Sequence, residues 1–186
     1  MVIDNFFDDL YLHQLYDEIT KIPVYGNNIA NRNTWPYGYT GSHRLLGNML
    51  FDRTSINDIV TLEPSAKDFL EIFSALEEKI LNQKVYLRNI QLNLQTQGMD
   101  GTTHTDSFEK DDATILFMVN PIWNKEWGGE FQILDESENV IEEYDYKPGR
   151  ILIFPSDAPH RGLSPKEKYI FRYSIVYRIS PLKNYI

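Results

Sequence analysis

From about Lys84 to Ile179 the chain breaks into short runs of branched and aromatic residues, each closed by a turn signal. No other feature narrows its possible folds as much. The runs are Val85-Tyr86-Leu87, Ile90 through Leu94, Ala113 to Val119, Glu130 to Leu134, Ile151 to Phe154 and Ile170 to Ile179, a composition that strands favour. Gly98, Asn120-Pro121, Gly128-Gly129 and Pro148-Gly149 separate them, and strands punctuated at this spacing point to a sandwich or barrel. Residues 1 to about 83 read differently. Phe6, Leu10, Leu15 and Ile19 fall near helical spacing, with Asp8 and Asp9 at the start, where negative charge suits the helix dipole, and Pro23 as a stop. A second helix is predicted from near Pro64, at a first-turn position, to about Asn82, with Phe69, Leu70, Phe73, Leu76 and Ile80 as its apolar stripe. The expectation is one domain over residues 1–186. It is mainly β with N-terminal helices (α+β): a helical support to about 83 packed on a β core from about 84 to 180.

Composition excludes several classes. A chain of 186 residues with 42% hydrophobic and 13% aromatic content can bury a core and is not of disordered type. Neither a run of about 18 apolar residues nor a basic leader segment is present, so no membrane partner and no signal peptide are expected. The formal charge is −9 and no basic face stands out, since Glu167 interrupts Lys166 and Lys168. Nucleic acid is therefore not an expected partner. With no cysteine, no thiolate attacks a substrate or binds metal, which suits a reducing cytoplasm.

The chemistry-bearing residues are few. Thr103-His104-Thr105-Asp106 holds a His-x-Asp pair, and Pro159-His160-Arg161-Gly162 a second histidine. Side chains alternate along a strand, so His104 and Asp106 would face the same way while Thr105 points off. Two histidines and one carboxylate are what a facial iron site needs. His160 follows the apolar strand Ile151-Leu152-Ile153-Phe154 and the turn Pro155-Ser156-Asp157-Ala158-Pro159, which can carry it back to the pair. A lone His-x-Asp would more often be a surface turn with a capping aspartate; the context shifts the balance. Arg172 lies in Phe171-Arg172-Tyr173-Ser174. Alternation puts Arg172, Ser174, Val176 and Arg178 on one face and Phe171, Tyr173, Ile175 and Tyr177 on the other. An arginine inside a central strand is unfavourable unless it meets an anion. Its planar fork suits a carboxylate, either that of a ligand or an internal Asp or Glu. Arg178, nearer the chain end, reads as solvated or structural.

In order along the chain, His104-x-Asp106, Trp127-Gly128-Gly129-Glu130, Pro148-Gly149-Arg150, His160-Arg161-Gly162 and Arg172 resemble the prolyl-4-hydroxylase-like branch of the iron(II)/2-oxoglutarate-dependent dioxygenases, over residues of about 85 to 180. The resemblance implies a double-stranded β-helix, the cupin-like jelly roll, with His104, Asp106 and His160 as metal ligands and Arg172 on the distal carboxylate of 2-oxoglutarate. It implies Fe(II), 2-oxoglutarate as cosubstrate and O2, with room for ascorbate. The activity implied is hydroxylation of a small-molecule or peptide substrate, peptidyl proline being one, with oxidative decarboxylation of 2-oxoglutarate to succinate and CO2. The family often has a tyrosine before the His-x-Asp loop that helps hold the same carboxylate. Here Asn93-Leu94-Gln95-Thr96-Gln97 stands in its place, and Asn93, Gln95 and Thr96 are all open as replacements.

Trp127-Gly128-Gly129-Glu130 and Pro148-Gly149-Arg150 also read simply as a hairpin corner and a turn entering a strand. His13 reads as a helix-surface residue. The stretch holding Trp35, Tyr37, Tyr39, His43 and Arg44 is either a substrate-contacting loop over the site or an ordered surface loop. Two other functional classes remain: a jelly-roll metal enzyme that does not use 2-oxoglutarate, and a non-catalytic jelly-roll binding module. Arg172 disfavours the first, and the intact His104, Asp106, His160 and Arg172 the second.

Overall fold

A computed structural model describes residues 1–26, 45–55, 58–61 and 66–182, with no side-chain description at 54–55 and 58–61. Ten strands are present among them: β1 (Val2–Ile3), β2 (Leu46–Ser55), β3 (Asp58–Thr61), β4 (Val85–Gln95), β5 (Ala113–Met118), β6 (Phe131–Leu134), β7 (Val140–Tyr144), β8 (Ile151–Pro155), β9 (His160–Gly162) and β10 (Arg172–Pro181). Two helices accompany them, α1 (Asp9–Ile19) and α2 (Ala66–Leu76), the latter running on into a wider turn at Glu77–Leu81. The strands form a seven-stranded sheet, β1-β8-β5-β10-β4-β2-β3, and a three-stranded sheet, β7-β6-β9. Every described pairing is antiparallel.

The large sheet is apolar on both faces, because both are covered. Alternation along β10 sends Ile175, Tyr177 and Ile179 to the side where α1 and α2 lie, with Ile90, Leu92, Ile115, Phe117, Leu12, Leu15, Phe69 and Ile72. The intervening Val176 joins Leu116, Met118, Leu152 and Phe154 beneath the small sheet's Phe131 and Ile133. One face thus anchors the helices and the other looks into the space between the sheets.

The expected helical support is corrected in one respect: residues 46–55 and 58–61 are strands that extend the large sheet beside β4, and β1 pairs with β8 at its far edge. Leu46-Gly47-Asn48-Met49 carries too little branched or aromatic residue to stand out locally, and neighbouring β4 holds it in the sheet. The two runs expected at 85–87 and 90–94 form one strand, β4. β7 and β9 were not anticipated: β7 reads Val-Ile-Glu-Glu-Tyr and is mostly exposed, and β9 is three residues long. In α1 the buried stripe is Leu12, Leu15 and Ile19, while Leu10 is exposed, since the helix begins only after Asp8, whose carboxylate caps it by accepting from the Tyr11 N–H at 2.7 Å.

Candidate active site

The two histidines meet through backbone pairing. His104 and His160 form an isolated antiparallel bridge in which the His104 N–H donates to the His160 carbonyl at 3.0 Å and the His160 N–H returns a bond at 2.8 Å. Residues that exchange both bonds lie directly opposite and present side chains to the same face. Their rings sit 4.4 Å apart, centroid to centroid. His104 is therefore not on a regular strand with Asp106, as expected, but on a single bridging residue at the edge of the small sheet. Asp106 is held separately: the Asp106 and Ser107 N–H groups both donate to the Ser156 carbonyl, at 2.9 and 3.1 Å.

Each imidazole is fixed in the same way. His104 Nδ1 donates to the Thr102 carbonyl at 2.8 Å and His160 Nδ1 to the Ala158 carbonyl at 2.9 Å. A carbonyl only accepts, so a proton sits on each Nδ1 and Nε2 is the ring nitrogen turned toward the other ligand candidates. Both Nε2 atoms are aimed at Asp106, His104 to Oδ1 and His160 to Oδ2, each at 3.6 Å. One donor atom from each of the three residues lies within 4.8 Å of the others. Burial, reinforced by His104, pushes His160 down to about 4, so it is neutral at ordinary pH. Burial alone would raise the Asp106 carboxyl, but Arg178 and the two histidines outweigh it and hold it well below the usual carboxylate range. Two imidazole nitrogens and one carboxylate on converging atoms fit a divalent metal with three positions left open.

Asp106 is the most supported member. Its side chain is 2% exposed. Arg178 Nη2 donates to Oδ1 at 2.7 Å, and Thr114 Oγ1 to Oδ2 at 2.8 Å. Thr114 must then accept from the Ser156 hydroxyl, 2.8 Å away. Arg178, read from the sequence as solvated or structural, is thus an Asp106 partner. Thr114 and Ser156 were missed; the one visible signal was a lone hydroxyl in Ala-Thr-Ile-Leu-Phe-Met, on the face that alternation assigns to the cleft.

The cleft holds about 490 Å3, its open mouth included. Arg172, Ser174, Val176 and Arg178 all line it, as alternation predicted, with Asn93, Gln95 and the three metal-ligand candidates. Arg172 is 2% exposed. Its Nε donates to the Gly129 carbonyl at 3.0 Å and its Nη1 to Gln95 Oε1 at 2.8 Å, and its Cζ lies 5.0 Å from the Tyr146 ring centre. Nη2 is buried with no hydrogen-bond partner among the described residues. The internal salt bridge considered above is absent among those residues, which leaves Nη2 as an open end; burial lowers the pKa of the guanidinium, and nearby Tyr146 and Glu130 oppose that. Thr96 lies beyond β4 and does not line the cleft. His13 is exposed on α1. Trp35, Tyr37, Tyr39, His43 and Arg44 lie outside the described residues.

Comparison with known proteins agrees with this arrangement. The profile of the 2OG-Fe(II) oxygenase superfamily matches residues 90–179, a span that contains all three donors and both arginines. The match assigns residues 90–179 to the 2OG-Fe(II) oxygenase type, with Fe(II) and 2-oxoglutarate as the metal and cosubstrate that go with it. No curated protein matched. Among solved structures, an oxidoreductase of the 2OG-Fe(II) oxygenase family from Burkholderia pseudomallei is similar with a TM-score of 0.71 at 12% identity, over 97% of this chain and 84% of the other. A Trichoplax adhaerens prolyl hydroxylase, in complex with a hypoxia inducible factor oxygen degradation domain peptide fragment, gives 0.65 at 19% identity, over 98% and 84%. HygX from Streptomyces hygroscopicus, with nickel, 2-oxoglutarate and hygromycin B bound, gives 0.62 at 10%, over 97% and 82%. At these identities the likeness is one of fold, and the fold is the double-stranded β-helix expected from the sequence.

Proposed function

We propose that residues 1–186 act as a single dioxygenase domain in which His104, Asp106 and His160 hold the iron and Arg172 receives the distal carboxylate of 2-oxoglutarate. The observation that carries this reading is the meeting, in one cleft, of three converging donors and a buried guanidinium whose Nη2 has no hydrogen-bond partner among the described residues. Bound Fe(II) with 2-oxoglutarate and O2 supplies the oxidising power, converting the cosubstrate to succinate and CO2 as a substrate C–H bond is hydroxylated. The side chains position these components. Thr102 and Ala158 fix the imidazoles, Arg178 and Thr114 fix the carboxylate, and Leu116, Phe131, Phe154 and Val176 give the cleft apolar walls that restrict water.

For the substrate, we propose a peptide or small molecule that enters the open mouth. Peptidyl proline is supported by the sequence resemblance and by the fold shared with a prolyl hydroxylase that binds a peptide. HygX, which shares the fold and carries hygromycin B, supports the small-molecule arm. No described helix is long and apolar enough to cross a membrane. The test is an anaerobic titration of metal-free protein with Fe(II) and 2-oxoglutarate, following the visible charge-transfer band of the chelate. The band is expected in wild type and absent in His160→Ala. Iron binding without a band would remove 2-oxoglutarate from the reading. Substrate identity follows from succinate release stimulated by proline-containing peptides, with gain of one oxygen in the peptide mass.

A further inference from the structure

We infer that Gln95 is a positioning residue that aims Arg172 and thereby sets the preference for a 2-oxo diacid, and that it is not itself a ligand of the cosubstrate. This rests on the reading of Arg172 above.

Gln95 ends β4 directly opposite Arg172, the first residue of β10, and is 2% exposed. Its Nε2 donates to the Met99 carbonyl at 2.7 Å and to the Gly162 carbonyl at 2.9 Å. Its Oε1 accepts from Arg172 Nη1 at 2.8 Å. The amide orientation is forced, since a guanidinium cannot accept and a carbonyl cannot donate. Both amide N–H groups are therefore committed, and a cosubstrate carboxylate reaching Gln95 would meet only lone pairs. Asn93, Gln95 and Thr96 are not equivalent stand-ins for the family's tyrosine, because Gln95 can act only through the arginine.

What Gln95 does to Arg172 is geometric and electrostatic. A guanidinium has five N–H groups. The Gly129 carbonyl takes the one on Nε and Gln95 one on Nη1, so the plane is held from two separate segments. The remaining N–H groups, on Nη1 and Nη2, form the free end. Both acceptors are neutral, and no carboxylate among the described residues hydrogen-bonds the guanidinium, although Glu130 acts on it through its field. Gly162 closes the arrangement: a Cβ there would stand 3.3 Å from Gln95 Oε1 and 3.4 Å from Arg172 Nη2, and glycine lets the backbone lie against both.

The test compares two metal chelators on anaerobic Fe(II)-loaded protein by calorimetry. 2-Oxoglutarate has a distal carboxylate; oxalate chelates without one. Gln95→Met is expected to weaken 2-oxoglutarate about tenfold or more while leaving oxalate within about twofold. Gln95→Glu, which keeps size and acceptor but neutralises Arg172, is expected to weaken 2-oxoglutarate as much as Arg172→Met does. In an Arg172→Met background, Gln95→Met should have no further effect, because the two act as one unit. Additive losses would make Gln95 a direct ligand and overturn the proposal. Equal losses for both chelators would reduce it to a structural residue, and Co(II) absorbance of each variant reports whether the metal site is intact. Wild type that binds Fe(II) and oxalate but shows no preference for 2-oxoglutarate would instead overturn the Arg172 reading beneath it.

Discussion

Replacing Arg178 with methionine tests how Asp106, the proposed metal-ligand aspartate, is held. In the metal-free protein the Asp106 carboxylate is 2% exposed and anionic, and Arg178 is its one permanently charged partner among the described residues. His160, held down to about 4, gives no charge at neutral pH. Removing one partner of a buried ion pair costs about 3–5 kcal/mol when the other is left uncompensated. Arg178 is itself 24% exposed and Asp106 keeps the Thr114 hydroxyl. The loss therefore falls nearer that of a charge-assisted hydrogen bond, about 2–3 kcal/mol. For a domain of this size that is about 4–12 °C in Tm. The assay is thermal unfolding at pH 7 with chelator, repeated with saturating Co(II). A divalent ion on Asp106 takes over the compensation, so more than half of the loss should be recovered with metal. A fall below about 2 °C without metal, or the same fall with and without it, would refute the assignment of Arg178 to Asp106.

Three further outcomes are expected. His104→Ala and Asp106→Ala should each abolish succinate formation from 2-oxoglutarate while the protein stays folded; full turnover in either purified variant would remove that residue from the metal. Gly129→Ala should destabilise by about 1–3 kcal/mol and weaken 2-oxoglutarate binding, since Gly129 has φ +81° and an added Cβ would stand 2.9 Å from Trp123 Cζ2 and 3.2 Å from Arg172 Cδ. Unchanged Tm and affinity would mean that the corner relaxes freely. Asp4→Asn should lose acid-dependent stability. The Arg150 guanidinium, with Lys147, hydrogen-bonds the Asp4 carboxyl and holds it well below the usual range. Its contribution is thus present above the unfolded carboxylate pKa of about 4 and fades as pH falls below it. Wild type and variant should converge in Tm on acidification, and a constant gap would assign the effect to packing.

The legible parts of this protein were those where one rule decides. Alternation along β10 correctly divided Arg172, Ser174, Val176 and Arg178 from Tyr173, Ile175 and Tyr177, because both faces of that strand are buried and differ in kind. The His-Asp-His set was legible for the same economy: few residue types can hold a metal, and this chain has no cysteine and four histidines. Illegible were the features that only distant pairing creates. β2 is a strand because β4 lies beside it, and His104 faces His160 through one backbone bridge that no local pattern announces. Ser156 sits in a turn whose composition, Pro-Ser-Asp-Ala-Pro, says only that the chain reverses there. Yet its carbonyl, amide and hydroxyl together hold Asp106, Ser107, Asp112 and Thr114 in place.

The two arginines show where sequence reasoning stops and what takes its place. Arg172 and Arg178 lie on one face of one strand, six residues apart, or about 20 Å along it at the ordinary rise. Alternation gives them equal standing, and the sequence separated them only by the family resemblance and by nearness to the chain end. Their partners separate them. Arg178 meets Asp106, so its charge is already matched and serves to hold a metal ligand. Arg172 meets a backbone carbonyl and a glutamine amide, neither of which matches its charge, and a buried cation in that state calls for an anion from outside. Of the two arginines in the cleft, the fully buried one, hydrogen-bonded to neutral acceptors, is the one we propose as the receptor. On that ground Arg172 is the residue we propose for the carboxylate of the cosubstrate, with Gln95 as its neutral partner.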